Sequence, residues 1–145
     1  MRLKQFTIRV CLYWDRSSKV RALIASRAAS IEKRLYDLRQ LGSDIEAAAA
    51  ISVDGLMIAC SLPEELGAEL VAAMSAAMLA LGERIAQELG RGALDQVFIK
   101  GDNGYVLMTA VNDNAVLTVL VGEEARLGLA LLDTRRTAAD LRELV

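Results

Sequence analysis

The sequence contains no histidine, a single proline and few aromatic residues, which make up 4% of its 145 residues. Without histidine, the chain cannot form the Ser-His and Cys-His pairs of common hydrolases, a histidine general base, or a histidine-containing zinc or iron site. The two cysteines, Cys11 and Cys60, lie far apart and lack the CxxC spacing of a zinc site. We therefore expect both to be buried as small apolar residues in a reducing compartment.

The sequence also lacks a long apolar run and a charge excess of either sign. Hydrophobic residues make up 54% of the chain, but no stretch of about 20 of them could span a bilayer. The 17 basic and 19 acidic residues nearly balance, which gives no overall charge to drive binding to nucleic acid or anionic lipid. The start is basic, but Arg9 interrupts its apolar stretch and no small-residue cleavage site follows. We expect one cytoplasmic domain that neither binds nucleic acid nor inserts into a membrane.

The first 41 residues predict a strand followed by a long helix. From Phe6 to Leu12, apolar residues fall at every second position, which is the period of a half-buried strand. Apolar residues then recur at steps of three and four up to Leu41, and Ser17 or Ser18 can cap the start of this helix. Gly42 stands where a helix commonly ends.

The rest of the chain predicts a hairpin, a helix, a meander and a last helix. Asp54-Gly55 separates two apolar runs, Ile45–Val53 and Leu56–Leu62, and Asp-Gly is a strong signal for a tight β-turn. The remaining predicted elements are a helix from Glu64 to Leu89, strands at Leu94–Lys100, Tyr105–Val111 and Val116–Val121, and a helix that opens at Glu123-Glu124. Together these predict an α+β fold, with a five-stranded antiparallel sheet and flanking helices.

Neither the glycine-rich turns nor the paired carboxylates predict a chemical site. The turn from Lys100 to Gly104 lacks the spacing of a phosphate-binding loop, and Asn112-Asp113-Asn114 lacks the ligand pattern of a calcium loop. The carboxylate pairs Glu64-Glu65 and Glu123-Glu124 each stand at a predicted helix start, where the helix dipole favours negative charge. We therefore predict no catalytic residue, no cofactor and no metal.

The middle helix is apolar on two sides. We predict that its bulky arc covers the sheet, namely Leu66, Leu70, Val71, Met74, Met78, Leu81, Ile85 and Leu89. The opposite arc is rich in alanine and predicts a contact surface for a partner or a second copy, formed by Ala68, Glu69, Ala72, Ala73, Ala76, Leu79, Ala80 and Glu83. The alternative is that these alanines serve helix propensity alone.

Four segments carry a recognisable joint pattern: the hairpin at 47–59, the helix that ends in Gly90-Arg91-Gly92, the strand Leu94–Lys100, and the ending at 116–130. In combination they resemble the Roadblock family, which includes dynein light chains of the Roadblock type and bacterial and archaeal relatives such as MglB. The resemblance runs from about residue 28 to residue 145. Residues 1–27, with the predicted strand and the start of the long helix, depart from the family core as an N-terminal extension.

The resemblance implies a profilin-like α-ββ-α-βββ-α domain that is not an enzyme. It implies a homodimer that pairs an edge strand, here Asp95, Gln96, Val97, Phe98 and Ile99, with the middle helices side by side. It further implies that the partner is a Ras-like small GTPase whose nucleotide cycle or localisation the dimer regulates, or that the chain is a structural light chain of a motor or filament complex. A small-molecule sensor remains a third hypothesis, which requires a cavity with converging polar groups. The predicted N-terminal strand could extend the sheet, cover an edge or contact a partner.

Overall fold

The computed structural model describes residues 18–41 and 44–145. In this part of the chain, three helices and five strands follow one another as α1 (Ser18–Gln40), β1 (Ile45–Ser52), β2 (Met57–Ser61), α2 (Ala68–Glu88), β3 (Gln96–Gly101), β4 (Gly104–Asn112), β5 (Ala115–Gly122) and α3 (Leu127–Leu141). The predicted α+β fold and its order of elements are confirmed. The predicted strand Phe6–Leu12 lies outside the described residues.

All strand pairs are antiparallel, and the sheet order is β2-β1-β5-β4-β3. The central strands β1 and β5 are almost wholly buried, from Ala47 to Ile51 and from Ala115 to Val119. Their nearly uniform apolar sequence reflects this position, because helices cover both faces of the sheet. Strands β2 and β3 form the two edges.

Two separate apolar clusters lie on the two faces of the sheet. One contains Ile31, Leu35 and Leu38 of α1, residues of α3, and strand residues such as Leu117. The other joins α2 to alternate strand residues such as Val116. Because successive side chains of a strand point to opposite faces, α1 and α3 cover one face and α2 covers the other.

Helices α2 and α3 begin later than the sequence predicts. Before α2, the Leu66 N–H donates to the Pro63 carbonyl at 3.1 Å, which closes a turn instead of a first helical turn. Before α3, the Ala125 N–H donates to the Gly122 carbonyl at 3.2 Å in the same way. The glutamate pairs at these places therefore lie in exposed turns ahead of the helices, and the helix-dipole explanation for them was wrong.

The turn between β3 and β4 depends on Gly104, whose φ of 138° is a conformation that side chains rarely adopt. A Cβ atom at this position would overlap the carbonyl oxygen of Val121. Gly101, at the other end of the same turn, has ordinary contacts, since the nearest atom to its added Cβ would be 3.8 Å away. The turn that joins β3 to β4 thus requires glycine at position 104.

We expect Gly104→Ala to lower the free energy of unfolding by about 2 kcal/mol or more, because it adds both backbone strain and steric overlap. The matched change Gly101→Ala should alter it by less than about 1 kcal/mol. Urea unfolding followed by circular dichroism measures both. If the two variants lost the same free energy of unfolding, position 104 would have no greater need for glycine than position 101, which would contradict this account of the turn.

Candidate protein-interaction surface

Helix α2 turns its small residues to the sheet and most of its large residues to solvent. Four residues form its buried face, namely Val71, Ala72, Ser75 and Leu79. On the opposite side, four apolar side chains are 50–61% exposed and recur at helical spacing, namely Leu70, Met74, Leu81 and Ile85. We call these four residues the α2 stripe.

The predicted faces of α2 were therefore wrong in part. Val71 and Met78 of the predicted sheet-facing arc do pack in the cluster with the strands, but Leu70, Met74, Leu81 and Ile85 of that arc are exposed. Leu79, predicted to face a partner, is only 6% exposed and packs in the cluster with Met108 and Val116. Of the predicted contact residues, Ala72 is buried, and Ala68 and Ala76 are half-buried. Glu69, Ala73, Ala80 and Glu83 are exposed.

The physical reason is that small side chains let the helix approach the sheet closely, so the helix axis lies nearer to the strands than bulky residues would allow. The hairpin turn shows how close this approach is: a Cβ added at Gly55 would lie 3.5 Å from the Ala76 Cβ. Choosing the core face by side-chain size fails on a helix that is apolar on both sides. A signal was present at Ser75, because a serine in line with Leu79 and Ala72 is a candidate for a buried hydrogen bond to a strand.

Two contacts fix the rotation of α2 about its axis. The Thr118 hydroxyl of β5 donates to the Ser75 Oγ at 3.0 Å, and both side chains are buried. A Cβ added at Gly82 would lie 3.0 Å from the Leu94 Cδ2 and 3.2 Å from the Val97 Cγ2. The first contact holds the middle of the helix on the sheet, and the second brings its C-terminal half against β3.

Strand β3 pairs with β4 on one side only, which leaves its other side as a sheet edge. Val97 packs in the same cluster as α2, and Ile99, two residues further, lies on the same face of the sheet. Phe98 lies on the opposite face, with its ring 5.5 Å from that of Tyr105. The predicted edge residues Gln96 to Ile99 thus belong to β3.

Asp95 directly precedes β3 and anchors its start. Its carbonyl accepts a hydrogen bond from the Ala110 N–H at 3.1 Å, and its carboxylate lies 3.5 Å from the Arg135 guanidinium. The side chain of Gln96 donates to the Thr109 hydroxyl at 3.2 Å. The α2 stripe and the edge of β3 together form one surface, which we call the α2–β3 surface.

The comparisons with known proteins agree with this geometry. The sequence profile of the Roadblock/LC7 domain matches residues 31–121. The chain belongs to the Roadblock/LC7 family. It is 34% identical to the uncharacterized protein MJ1340 of Methanocaldococcus jannaschii over 79% of this chain and 98% of that protein. The resemblance predicted from the sequence is confirmed.

Solved structures show the same fold at lower sequence identity. MglB of Myxococcus xanthus is 19% identical, with a TM-score of 0.75 over 79% of this chain and 94% of that one. An MglB described in a tetrameric arrangement is 18% identical, with a TM-score of 0.74 over 82% of this chain and 90% of that one. These likenesses define the fold of the Roadblock/LC7 domain in this chain.

The only cysteine that the structure describes in this Roadblock/LC7 domain is a poor nucleophile. Cys60 lies on β2, is free and is half-buried rather than fully buried as predicted, while Cys11 lies outside the described residues. Burial, and to a lesser extent the Glu32 carboxylate, raise the pKa of the Cys60 thiol above its usual value of 9.0. The thiol is therefore protonated at neutral pH, and reactive cysteines require the opposite shift.

No group of three or more potential metal-ligating residues occurs in the described parts of the chain. No helix within 18–41 or 44–145 is long and apolar enough to span a membrane. A surface groove of about 650 Å³ lies beside the end of α2, and its lining includes Glu83, Asp95, Asp113 and Arg142. It is open to solvent, which is unlike the enclosed pockets that hold small ligands.

We expect Leu79→Ala to lower the free energy of unfolding by about 2–4 kcal/mol, because it leaves a cavity between α2 and the sheet. Leu129→Ala, at an exposed leucine of α3, is the matched control and should cost less than about 1 kcal/mol. Both values follow from urea titration. If Leu79→Ala were as stable as the wild type, Leu79 would have to lie on the outer face of α2, which would contradict its position in the structure.

Proposed function

We propose that this Roadblock/LC7 chain forms a non-enzymatic homodimer that binds a Ras-like small GTPase and regulates its nucleotide cycle or its localisation. The observation that carries the proposal is the α2–β3 surface, where a row of exposed apolar side chains lies next to an unpaired strand edge. We assign this role to residues 28–145 and treat residues 1–27 as an extension of the domain. The role is one of contact, without chemistry of its own.

Self-association accounts for both parts of the α2–β3 surface, the apolar stripe on α2 and the unpaired edge of β3. Two β3 edges related by a twofold axis can pair antiparallel and join two sheets into one. Val97 and Ile99 lie on the face that α2 covers, so the two α2 helices would stand on the same face of the joined sheet. Their stripes would then face each other, which removes Met74, Leu81 and the other stripe residues from water.

The predicted residues that remain exposed provide a contact for the GTPase. Glu69, Ala73, Ala80 and Glu83 run along one flank of the α2 stripe. Small side chains between two carboxylates allow a partner helix or loop to approach the α2 backbone, and the carboxylates can pair with basic residues of the partner. In this proposal the dimer acts by reshaping the switch regions of the GTPase, and no arginine of this chain is inserted as a catalytic finger.

A structural light chain of a motor or filament complex is the second candidate, since the same dimer would serve it. This second candidate is favoured because contacts between protein chains alone can account for the α2–β3 surface, without any nucleotide. The two functions differ in one property, which is whether partner binding depends on the bound nucleotide.

The dimer is tested by the double variant Met74→Arg, Ile85→Arg, which places four charges in the paired stripes. At micromolar concentration we expect light scattering to give twice the chain mass of 15.7 kDa for the wild type and the mass of one chain for the variant. Leu132→Arg, at an exposed leucine of α3, is the control and should remain dimeric. A monomeric wild type, or a dimeric double variant, would contradict the proposed interface.

The GTPase partner is tested by retention of a Ras-like GTPase encoded near this chain's gene on the immobilised full-length protein. We expect retention in one nucleotide state, and a loss of affinity of about tenfold on Glu69→Lys, Glu83→Lys, because two attractive charge pairs become repulsive. The control is Glu123→Lys, Glu124→Lys, which reverses two exposed carboxylates in the turn before α3. Absence of retention in both states would contradict the proposal, and equal retention in both would favour the light-chain function.

A further inference from the structure

The backbone groups that β3 presents at the open edge of the sheet are a defined set. Gly101 of β3 pairs with Gly104 of β4 across a two-residue turn. Residues this close in the chain pair through hydrogen bonds made directly between them, so Gly101 and every second residue before it bond towards β4. The Asp95 carbonyl follows this alternation, since it accepts the Ala110 N–H at 3.1 Å. The N–H and C=O groups that point to the open edge are therefore those of Gln96, Phe98 and Lys100.

Phe98 is an exposed aromatic residue that the α2 stripe does not explain. It lies in the middle of this outward set, and its side chain is 46% exposed on the face of the sheet opposite α2. Its ring lies 5.5 Å from the Tyr105 ring, and the Lys100 Nζ lies 5.9 Å from the centre of the same ring. The edge strand thus presents an aromatic side chain at the centre of its unpaired backbone groups.

We propose that two copies pair along β3 in one register, with Phe98 directly opposite Phe98 of the partner subunit. This inference rests on the homodimer proposed above and specifies the contacts that align its two strands. Gln96 then lies opposite Lys100 of the partner subunit, and the twofold axis repeats this pair on the other side of Phe98. Every outward N–H and C=O group of these three residues has a hydrogen-bonding partner on the other strand.

Other positions of the twofold axis leave some of these groups unpaired. If the axis lay between two residues, the outward groups of one strand would face groups of the other that already bond to β4. With the axis at Val97, Lys100 would lie opposite a residue that precedes β3. With the axis at Ile99, Gln96 would lie opposite the turn that follows β3. Only an axis at Phe98 uses the outward groups of both strands in full.

The aromatic side chains favour the same register. Directly opposite residues of antiparallel strands share one face of the sheet, so an axis at Phe98 brings two phenylalanine rings together. Each ring is already in contact with the Tyr105 ring of its own chain, so that the pair completes an aromatic cluster across the axis. A shifted axis would instead set Phe98 against Lys100 or Gln96 of the partner subunit, neither of which has an aromatic ring.

The charges at the two ends of β3 agree with this register. An axis at Phe98 places Lys100 beside Asp95 of the partner subunit, and the carboxylate of Asp95 is 75% exposed in the single chain. This is an attractive pair, and the twofold axis repeats it. An axis at Ile99 would place Asp102 there instead, which would bring two carboxylates together.

Disulfide cross-linking tests the register. Single cysteines are placed in β3 in a background of Cys11→Ser, Cys60→Ser, oxidised with copper phenanthroline, and the covalent dimers are measured by gel electrophoresis without reductant. Opposite residues of a hydrogen-bonded pair have Cα atoms about 5.5 Å apart, which suits a disulfide, whereas positions offset by two residues are about 7–8 Å apart. We expect Phe98→Cys to cross-link at least about tenfold faster than Val97→Cys or Ile99→Cys.

A second cross-link leaves Phe98 unchanged. Gln96→Cys and Lys100→Cys, mixed under reducing conditions and then oxidised, should form a covalent dimer with each other, because the two positions are opposite. Neither variant should cross-link when it is oxidised alone. Leu132→Cys, at an exposed leucine of α3, is the control and should not cross-link. Circular dichroism checks that each variant is folded, and light scattering of the reduced variants checks that each is dimeric.

Failure of the register and failure of the dimer give different results. Faster cross-linking of Val97→Cys or Ile99→Cys, in a protein that light scattering shows to be dimeric, overturns the register alone. A dimer in which no position from 96 to 100 cross-links overturns the pairing through β3. A monomeric wild type contradicts the proposed homodimer as well.

Discussion

The interaction surface depends on one constraint, which is the close packing of α2 against the centre of the sheet. Ala72 and Leu79 pack against the sheet, and the buried hydrogen bond from Thr118 to Ser75 fixes the angle of the helix about its axis. A buried hydroxyl that lost this bond would remain unsatisfied at a cost of about 1–3 kcal/mol, so other rotations of α2 are disfavoured. The exposed position of the α2 stripe is therefore a consequence of what the opposite side of the helix contacts.

The close packing of α2 also brings the helix next to the edge of the sheet. The absence of a side chain at Gly82 lets α2 approach Leu94 and Val97, which places its C-terminal half beside β3. Strand β3 is in turn positioned by the turn at Gly104 and by the contacts of Asp95 with Ala110 and Arg135. An apolar stripe and an open strand edge thus share one side of the molecule, which is the combination that a second copy can cover in a single interface.

The sequence was sufficient for the fold because its patterns were unambiguous there. Helix α1 carries polar residues opposite Ile31, Leu35 and Leu38, so its core side could be read directly, and Asp54-Gly55 located the hairpin between β1 and β2. The starts of α2 and α3 were misplaced because a glutamate pair is equally compatible with a turn before a helix and with its first residues. The buried face of α2 was misplaced because both sides of the helix are apolar, and only the contacts with β5 and β3 distinguish them.

Charge illustrates a similar limit of composition. A net charge of −2 describes neither the basic first 27 residues nor the acidic remainder, and it is the distribution along the chain that has physical meaning. The structure adds that the side chains from Lys19 to Arg27 are exposed, and that the first buried residue of α1 is Ala28.

The most direct test of the α2–β3 surface is amide hydrogen exchange measured at several protein concentrations. In an isolated chain, alternate amides of β3 point away from β4 into solvent and exchange rapidly. If two β3 edges pair, the outward-pointing amides within Gln96–Gly101 should become protected as protein concentration rises. The exchange rates of the α3 amides should not change. Rapid exchange of the outward β3 amides at every concentration, in a protein that remains folded, would contradict the account.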